Sequence, residues 1–312
     1  MARKDWTENA LVQQPAIEQL MGMGWQYTHA FDTEFKNGTS TLGRKSTHDV
    51  VLVNDLRPAL KRINPTAPDV VIEEAIVRIQ QRGLNVNLVE ENERRYTKFV
   101  VQTADTLKVT GTNTQGKQQE YIIQLIDFNN ASNNTYRIVD EMWVSNSINE
   151  RKRPDLLAFI NGLPFVFFEF KNTHISKDYA YKGNLNDYKD KIPHLFDYNA
   201  LVVISNMLEA TYGSITAPLE QFKQWKRNDE NDPEPPTQAN QQLYLLAGIM
   251  QPKTLLDLIE NFILFERPPT GGLHKIVARN HQYLGVNRVI ARLLSTETKI
   301  KAEVSAGKLG VF

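Results

Sequence analysis

Asp155, Glu169 and Lys171 are the residues of this chain whose types and spacing suit them to chemistry. They fall in "RPDLLAFINGLPFVFFEFKN", Arg153 to Asn172, which reads as a buried β-hairpin turning at Asn161-Gly162. Strand side chains alternate faces, so Phe165, Phe167, Glu169 and Lys171 share one side and Val166, Phe168 and Phe170 the other. Both sides are largely apolar, as in an interior strand. An acid and an amine there are costly unless they satisfy one another or hold an ion. Two carboxylates can bind Mg²⁺, which keeps several waters and takes only one or two protein carboxylates. Such an ion acidifies a water and neutralises phosphate oxygens. A lysine two residues on projects from the same side, where it can position that water or stabilise developing charge. The chemistry this set suits is hydrolysis of a phosphodiester.

An Asp before one strand and Glu-x-Lys on the next is the layout written PD-(D/E)xK, here Pro154, Asp155, Glu169 and Lys171. The pattern is short and recurs by chance, so taken alone it is better explained by a buried Glu/Lys pair or an edge hairpin with its charges in water. The hairpin must also meet a geometric condition. With Asn161-Gly162 as a two-residue turn, Ile160 pairs with Leu163 and Asp155 with Phe168, which turns Asp155 away from Glu169. A shared ion requires an offset of one residue: a three-residue loop, a bulge, or Asp155 leaving the pleat at the strand end.

The elements that must position these groups follow from periodicity. Residues 7–21 read as one or two short helices stopped at Gly22 and Gly24, and 49–82 as helical, with Asp69 capping "VVIEEAIVRIQ". From 96 to 145, "KFVVQTADTLKVT", "EYIIQLIDF" and "YRIVDEMWVS" read as strands. After the hairpin come a helix from Ser176 to Lys191, with Asn184 and Tyr188 on one face, and a buried strand "ALVVISN". Strand, helix and buried strand in that order imply a parallel crossover. "KRNDENDPEPPTQANQQ" (226–242) is linker-like. "LLDLIENFILFE" and "HQYLGVNRVIARLL" follow as helical patterns, and "GKLGVF" opens like a strand. "GTNTQGKQ" (111–118) matches a phosphate-binding loop until Gln118, and a strand rather than a helix follows it, so it is a hairpin loop.

The bulk numbers bound the rest. The chain has 312 residues, 41% hydrophobic and 23% charged, as in a globular protein. No apolar run approaches the ~20 residues that span a bilayer, and the start carries no signal-peptide core, so a cytoplasmic location and no membrane partner are expected. There is no cysteine, and six scattered histidines argue against a histidine-built zinc site. Thirty-six basic residues balance 36 acidic ones, so a polyanion must meet a local patch or other subunits. Two basic groups are candidates, although each taken alone reads first as a solvated face: Arg151, Lys152 and Arg153 with Lys171, His174, Lys177 and Lys182, and a second group of Lys223, Lys226 and Arg227.

Over essentially its whole length the sequence resembles the restriction (R) subunit of type I restriction–modification enzymes. The resemblance is carried in order by "RKRPDLLAFINGLPFVFFEFKN", "NLNDYKDKIPHLFDYNALVVISNMLEATYGSITA", "LLDLIENFILFE" and "KIVARNHQYLGVNRVIAR". It implies an α/β fold: a restriction-endonuclease-like mixed sheet flanked by helices, then the truncated start of a superfamily 2 DNA-translocating motor. The corresponding division is a nuclease domain over 1–240, and linker helices with the motor's start over 241–312. Asp155, Glu169 and Lys171 align with the catalytic residues, Asp155 and Glu169 as Mg²⁺ ligands. The family's Gln-x-x-x-Tyr motif falls on Asn184 and Tyr188, with the shorter amide in place of glutamine. Gln282, in "ARNHQYLGV", matches the motor's adenine-recognition glutamine, whose amide can both donate to and accept from adenine. The phosphate loop that follows in the family lies beyond this chain, which is expected to be an amino-terminal fragment. The implied partners are double-stranded DNA and the methylase and specificity subunits, with ATP used by the parent. Two rival readings are a DNA-binding or docking module whose nuclease site is degenerate, and an independent ATPase. Intact Asp155, Glu169 and Lys171 weigh against the first, and the missing phosphate loop against the second.

Overall fold

The structure is a computed structural model that describes residues 7–300, apart from 84–85, 104–105, 114, 147–149, 173–179, 230 and 233–240. In chain order its strands are β1 (Gln26–His29), β2 (Lys108–Thr112), β3 (Gln118–Ile122), β4 (Tyr136–Asp140), β5 (Val144–Ser145) and β6 (Arg151–Lys152). They continue with β7 (Leu156–Ile160), β8 (Leu163–Phe170), β9 (Leu201–Ser205), β10 (Ala210–Gly213), β11 (Ile263–Glu266) and β12 (His274–Val277). Six form one mixed sheet in the order β1-β4-β7-β8-β9-β10, and β2-β3, β5-β6 and β11-β12 form separate two-stranded ribbons. The expected parallel crossover is present, since β8 and β9 run parallel with Val166 opposite Leu201 and Phe170 opposite Ser205.

β8 lies inside the sheet and every residue in it is buried. An interior strand covered on both faces reads as a continuous apolar run, which accounts for "LPFVFFEF". Asn161 and Gly162 have φ values of 52° and 78°, the two left-handed positions of a two-residue hairpin turn. The turn is held from outside. Asn161 Oδ1 accepts from Thr135 N at 2.7 Å, and its Nδ2 donates to Leu125 O and Asn134 Oδ1, each at 2.8 Å. Ile160 pairs with Leu163 and Phe159 with Pro164, but the ladder then slips, so Ala158 meets Val166 and Leu156 meets Phe168. Phe165 is the extra residue of a β-bulge. Its carbonyl accepts from Ala200 N at 2.7 Å and Asn199 Nδ2 at 3.3 Å, outside the β7 ladder.

Three local expectations are corrected. Asp69 is the first residue of the helix Asp69–Gln80, and the cap position is Pro68 with no side-chain bond. The carboxylate instead meets Lys61 Nζ at 2.8 Å. The first part of "KFVVQTADTLKVT" is helical: Asn87 caps Leu88–Arg95, and a π turn, Tyr96–Val100, carries the helix on. Tyr96, Phe99 and Val100 recur at helical spacing and are buried, which outweighs the β-propensity of the valines. "LLDLIENFILFE" is a helix only to Asn261, where Pro252–Asn261 ends, and Ile263–Glu266 pairs with β12. "GTNTQGKQ" is indeed the β2–β3 hairpin loop, with Thr112 opposite Gln118. "GKLGVF" and most of "PEPPTQANQ" fall outside the described residues.

The helix Gln241–Ile249 packs against Gln14–Gly22, so the two sides of the linker-like segment share one core. Gln242 Nε2 donates to Val12 O at 2.7 Å, and Trp25 Nε1 to Met250 O at 3.0 Å. Among the described residues no helix is long and apolar enough to cross a membrane.

Candidate active site

The bulge decides where the charges go. With Leu156 opposite Phe168, the register carried one step outward sets Asp155 against Glu169, close enough for Glu169 to act on the Asp155 carboxyl. This is the one-residue offset that a shared ion requires. The C-terminal ends of β1, β4, β8 and β9 meet the N-terminal end of β7 at this edge.

Asp155 Oδ2 accepts from Phe170 N at 2.7 Å, so the backbone of one strand fixes the acid of the other. Glu169 has no solvent exposure, and its Oε1 accepts from Lys171 Nζ at 2.5 Å and also from Asn184 Nδ2. Glu169 Oε2 is buried and has no hydrogen-bond partner. An orphaned carboxylate oxygen in the interior is costly, and a cation is the partner that suits it. Lys171 Nζ also donates to Phe170 O at 2.8 Å.

Burial pushes the Asp155 carboxyl well above the usual range, and the facing Glu169 pushes it further, against the Phe170 N–H and Lys171. Glu169 is likewise raised, chiefly by burial, with Lys171 and Asn184 opposing. Burial works against the Lys171 ammonium, but Glu169, Asp155 and Glu8 outweigh it and its pKa lies above the ordinary lysine value. The site therefore disfavours the charged forms of both acids when nothing else is bound, while it favours the charged form of its lysine.

Asn184 lies in a π turn, Ala180–Leu185, that leads into the helix Asn186–Lys191. Despite its short side chain it reaches Glu169, at a turn where the backbone departs from α-helical spacing. Tyr188 is placed otherwise: its hydroxyl donates to Arg153 O at 3.0 Å and its ring packs edge-on against Phe167, centroids 5.2 Å apart. It steadies the segment that carries Asp155. His174 and Lys177 lie outside the described residues, as does the Lys182 side chain.

Sequence reasoning missed two groups. Glu8 Oε2 accepts from Asn172 N at 2.8 Å and adds negative charge at the mouth of the site from 164 residues away. Asp140, at the end of β4, is nearly fully buried and collects Tyr27 OH at 3.1 Å, His29 Nδ1 at 2.9 Å and Gln13 Nε2 at 3.4 Å. Gln13 Nε2 also donates to Asp155 O at 3.2 Å, so this network buttresses Asp155 from behind. Nothing in the spacing of these residues announces such contacts. Among the described residues, no three His, Asp or Glu side chains converge as a ready-made metal cage. A two-carboxylate site for an ion that keeps its waters fits that arrangement.

Gln282 lies beside β10 and β12. It is exposed, on the first turn of the helix Asn280–Ile300, and its Oε1 accepts from Arg279 N at 2.8 Å. It lines a cavity of about 230 Å³ together with Tyr212, Lys223, Lys275 and Arg279. In the second basic group, Lys226 N and Arg227 N donate to Asn280 Oδ1 at 3.2 and 3.0 Å, tying that group to the start of the same helix.

Fold and site together define a mixed α/β protein that gathers two carboxylates and a lysine at one end of its central sheet. A family model described as the type I restriction enzyme R protein N terminus matches residues 5–221. The chain belongs to this family. It is 33% identical over 282 residues to the type I restriction enzyme HindI endonuclease subunit of Haemophilus influenzae, a match covering 89% of this chain and 26% of the relative. It is 26% identical over 309 residues to a putative type I restriction enzyme MjaIXP endonuclease subunit of Methanocaldococcus jannaschii, covering 93% and 28%. The chain thus spans about a quarter of the length of these curated relatives.

Proposed function

We propose that this chain is the endonuclease region of a type I restriction enzyme R subunit and hydrolyses phosphodiester bonds of double-stranded DNA with Mg²⁺. The observation that carries the reading is the bulge at Phe165, which brings Asp155 opposite Glu169 while leaving Glu169 Oε2 without a protein partner. Asp155 and Glu169 are the residues that hold the ion. A bound Mg²⁺ supplies charge neutralisation at the phosphate and a lower pKa for water. Lys171, protonated and anchored on Glu169, faces the phosphate and offsets the charge that grows as water attacks phosphorus and the bond to the leaving oxygen breaks. Asn184 orients Glu169 through its amide, and Tyr188 holds the backbone before Asp155.

In the parent protein this cleavage follows ATP-driven translocation, in a complex with the methylase and specificity subunits. Residues 1–240 form the nuclease part, and 241–312 the linker helices and opening of the superfamily 2 motor. Gln282, exposed beside its cavity, is the residue we assign to the adenine edge, once its Oε1 gives up Arg279 N. The similarity to endonuclease subunits of type I restriction enzymes supports this reading.

The test uses the parent assembly with Asp155→Ala, Glu169→Ala and Lys171→Ala. Each is expected to abolish DNA cleavage with ATP hydrolysis nearly unchanged, because none touches the motor. Undiminished double-strand cleavage by the Lys171 variant refutes the assignment.

A further inference from the structure

The segment between β4 and β7 does more than connect them. It leaves the sheet at Asp140, forms the ribbon β5-β6, with Val144 opposite Lys152 and Ser145 opposite Arg151, and returns as Arg153-Pro154-Asp155. The ribbon therefore springs from the sheet end that carries the carboxylates, and Arg153 stands two residues, roughly 7 Å of chain at most, from Asp155.

At the base of the ribbon two arginines lie on aromatic rings. The Arg151 guanidinium sits 4.4 Å from the centre of the Trp143 ring, and that of Arg153 sits 5.4 Å from Trp143 and 5.0 Å from Phe31. These rings are not core residues: Phe31 is 48% exposed, and Trp143 is only half-buried. The group is braced from behind. Buried Arg44 donates to Trp143 O at 2.7 Å, and Tyr188 donates to Arg153 O. Among the described residues Arg151 has no carboxylate within ion-pair distance, whereas Arg153 Nη1 meets Glu141 Oε2 at 3.1 Å. Arg153 and Glu141 both remain open to solvent, at 37% and 26% side-chain exposure.

We propose that Arg151 and Arg153, held on Trp143 and Phe31, form a phosphate-contact surface for the DNA duplex beside the bond being cut. A guanidinium lying against a ring keeps its N–H groups directed from its edge, the geometry that takes phosphate oxygens in pairs. The rings supply that order in advance, so less freedom is lost on binding. The contact is to the backbone and carries no sequence information, as suits a nuclease that cuts wherever the scissile strand is presented. Glu141 competes with phosphate for Arg153. Trp143 and Phe31 act here as positioning residues.

The inference rests on the nuclease reading above, and one experiment separates the two. Binding of the 312-residue chain to a blunt DNA duplex is followed by fluorescence anisotropy in Ca²⁺ across a KCl series, with Mg²⁺-dependent cleavage of the same duplex measured alongside. Each lost phosphate contact should flatten the plot of log K against log salt by about 0.9. Arg151→Ala and Arg153→Ala are each expected to show that flattening, and Trp143→Ala to flatten it further by releasing both cations. Trp143→Phe should restore most of the slope. Glu141→Gln, which frees Arg153, should tighten binding at low salt, and that gain should disappear when Arg153→Ala is added. Circular dichroism and Ca²⁺-induced stabilisation, unchanged in these variants, show that fold and carboxylate site persist. Wild-type slopes in the folded Arg151 and Arg153 variants, with the wild type still binding and cutting, overturn this inference alone. A wild-type chain that does not bind duplex DNA overturns this inference, whereas the nuclease reading falls only if the Asp155, Glu169 and Lys171 variants of the parent assembly still cut.

Discussion

Asp155→Asn separates the charge of this acid from its hydrogen bond. In the protein Asp155 Oδ2 accepts from Phe170 N at 2.7 Å while burial and Glu169 hold its pKa well above the ordinary value. A carboxyl raised on folding contributes stability that is complete below its unfolded pKa of about 3.9 and is lost as pH rises through the folded value. At pH 8, without metal, the raised carboxyl therefore weakens the fold relative to acid pH. Asparagine keeps an oxygen for the Phe170 N–H and removes the repulsion, so Asp155→Asn should equal or exceed the wild type in EDTA. Asp155→Ala leaves that N–H without its acceptor and should cost about 1–3 kcal/mol. Calcium reverses the order. A cation at one hundred times its dissociation constant stabilises the wild type by about 2.7 kcal/mol, and the Asn variant, short of one ligand, should gain far less. Urea unfolding at pH 8, followed by tryptophan fluorescence with EDTA or CaCl₂, measures all four quantities. Equal calcium stabilisation of wild type and Asp155→Asn refutes the shared-ion geometry.

Three other outcomes follow from separate parts of the molecule. Gly162→Ala should cost at least about 1–3 kcal/mol in urea unfolding, because φ is 78° there and an added Cβ would lie 2.3 Å from Leu52 O. Lys275 is buried, and burial lowers its pKa to about 7, against an unfolded value near 10.4. Stability from this group is fully present only above the unfolded value and falls as pH drops towards 7, so the wild type should gain on Lys275→Met between pH 7 and 10. The acceptors Asn92 Oδ1 and Asn199 O hold the ammonium form and reduce that slope; a pH series of unfolding free energies checks it. The 312-residue chain should hydrolyse no ATP, since a G-x-x-x-x-G-K-[ST] loop is absent from it, while Gln282→Ala in the parent should weaken ATP use and translocation; turnover by the chain alone contradicts the nucleotide reading.

The carboxylates and lysine were legible because burial and charge conflict so plainly in "FVFFEFKN", and chemistry then demanded a displaced register. The site of the displacement was not legible. Phe165 has apolar neighbours on both sides, and nothing in its type marks a bulge. Glu8 and the Asp140 network escaped for a different reason: they depend on β1 pairing with β4 and on Glu8 and Gln13 reaching Asn172, Asp140 and Asp155, contacts separated by more than a hundred residues. Short apolar runs misled in both directions. "KFVV" is helical because Asn87 has already started a helix that buries Tyr96, Phe99 and Val100, and "ILFE" is extended because it pairs with a strand that comes later in the chain. Periodicity over four residues cannot choose between these states.

The origin of the bulge lies in two demands on β8 that differ by one residue. An amphipathic strand has its register set by its hydrophobic face, but β8 is buried on both faces and its pattern is indifferent to a slip. Register must come from the neighbours. On one side the Asn161-Gly162 turn, pinned by Thr135, Leu125 and Asn134, pairs Ile160 with Leu163. On the other, the parallel ladder to β9 fixes Val166 against Leu201 and runs to Ser205, whose carbonyl accepts from Lys171 N at 2.9 Å. Phe165 stands between these regions, and its carbonyl is taken by Ala200 and Asn199 rather than left unpaired. The slip is therefore stabilised by ordinary backbone bonding and needs no ion to maintain it. The same slip brings together two acids, Glu169 fully buried and Asp155 half-buried, an arrangement that packing alone does not favour and that a cation at the sheet edge would satisfy.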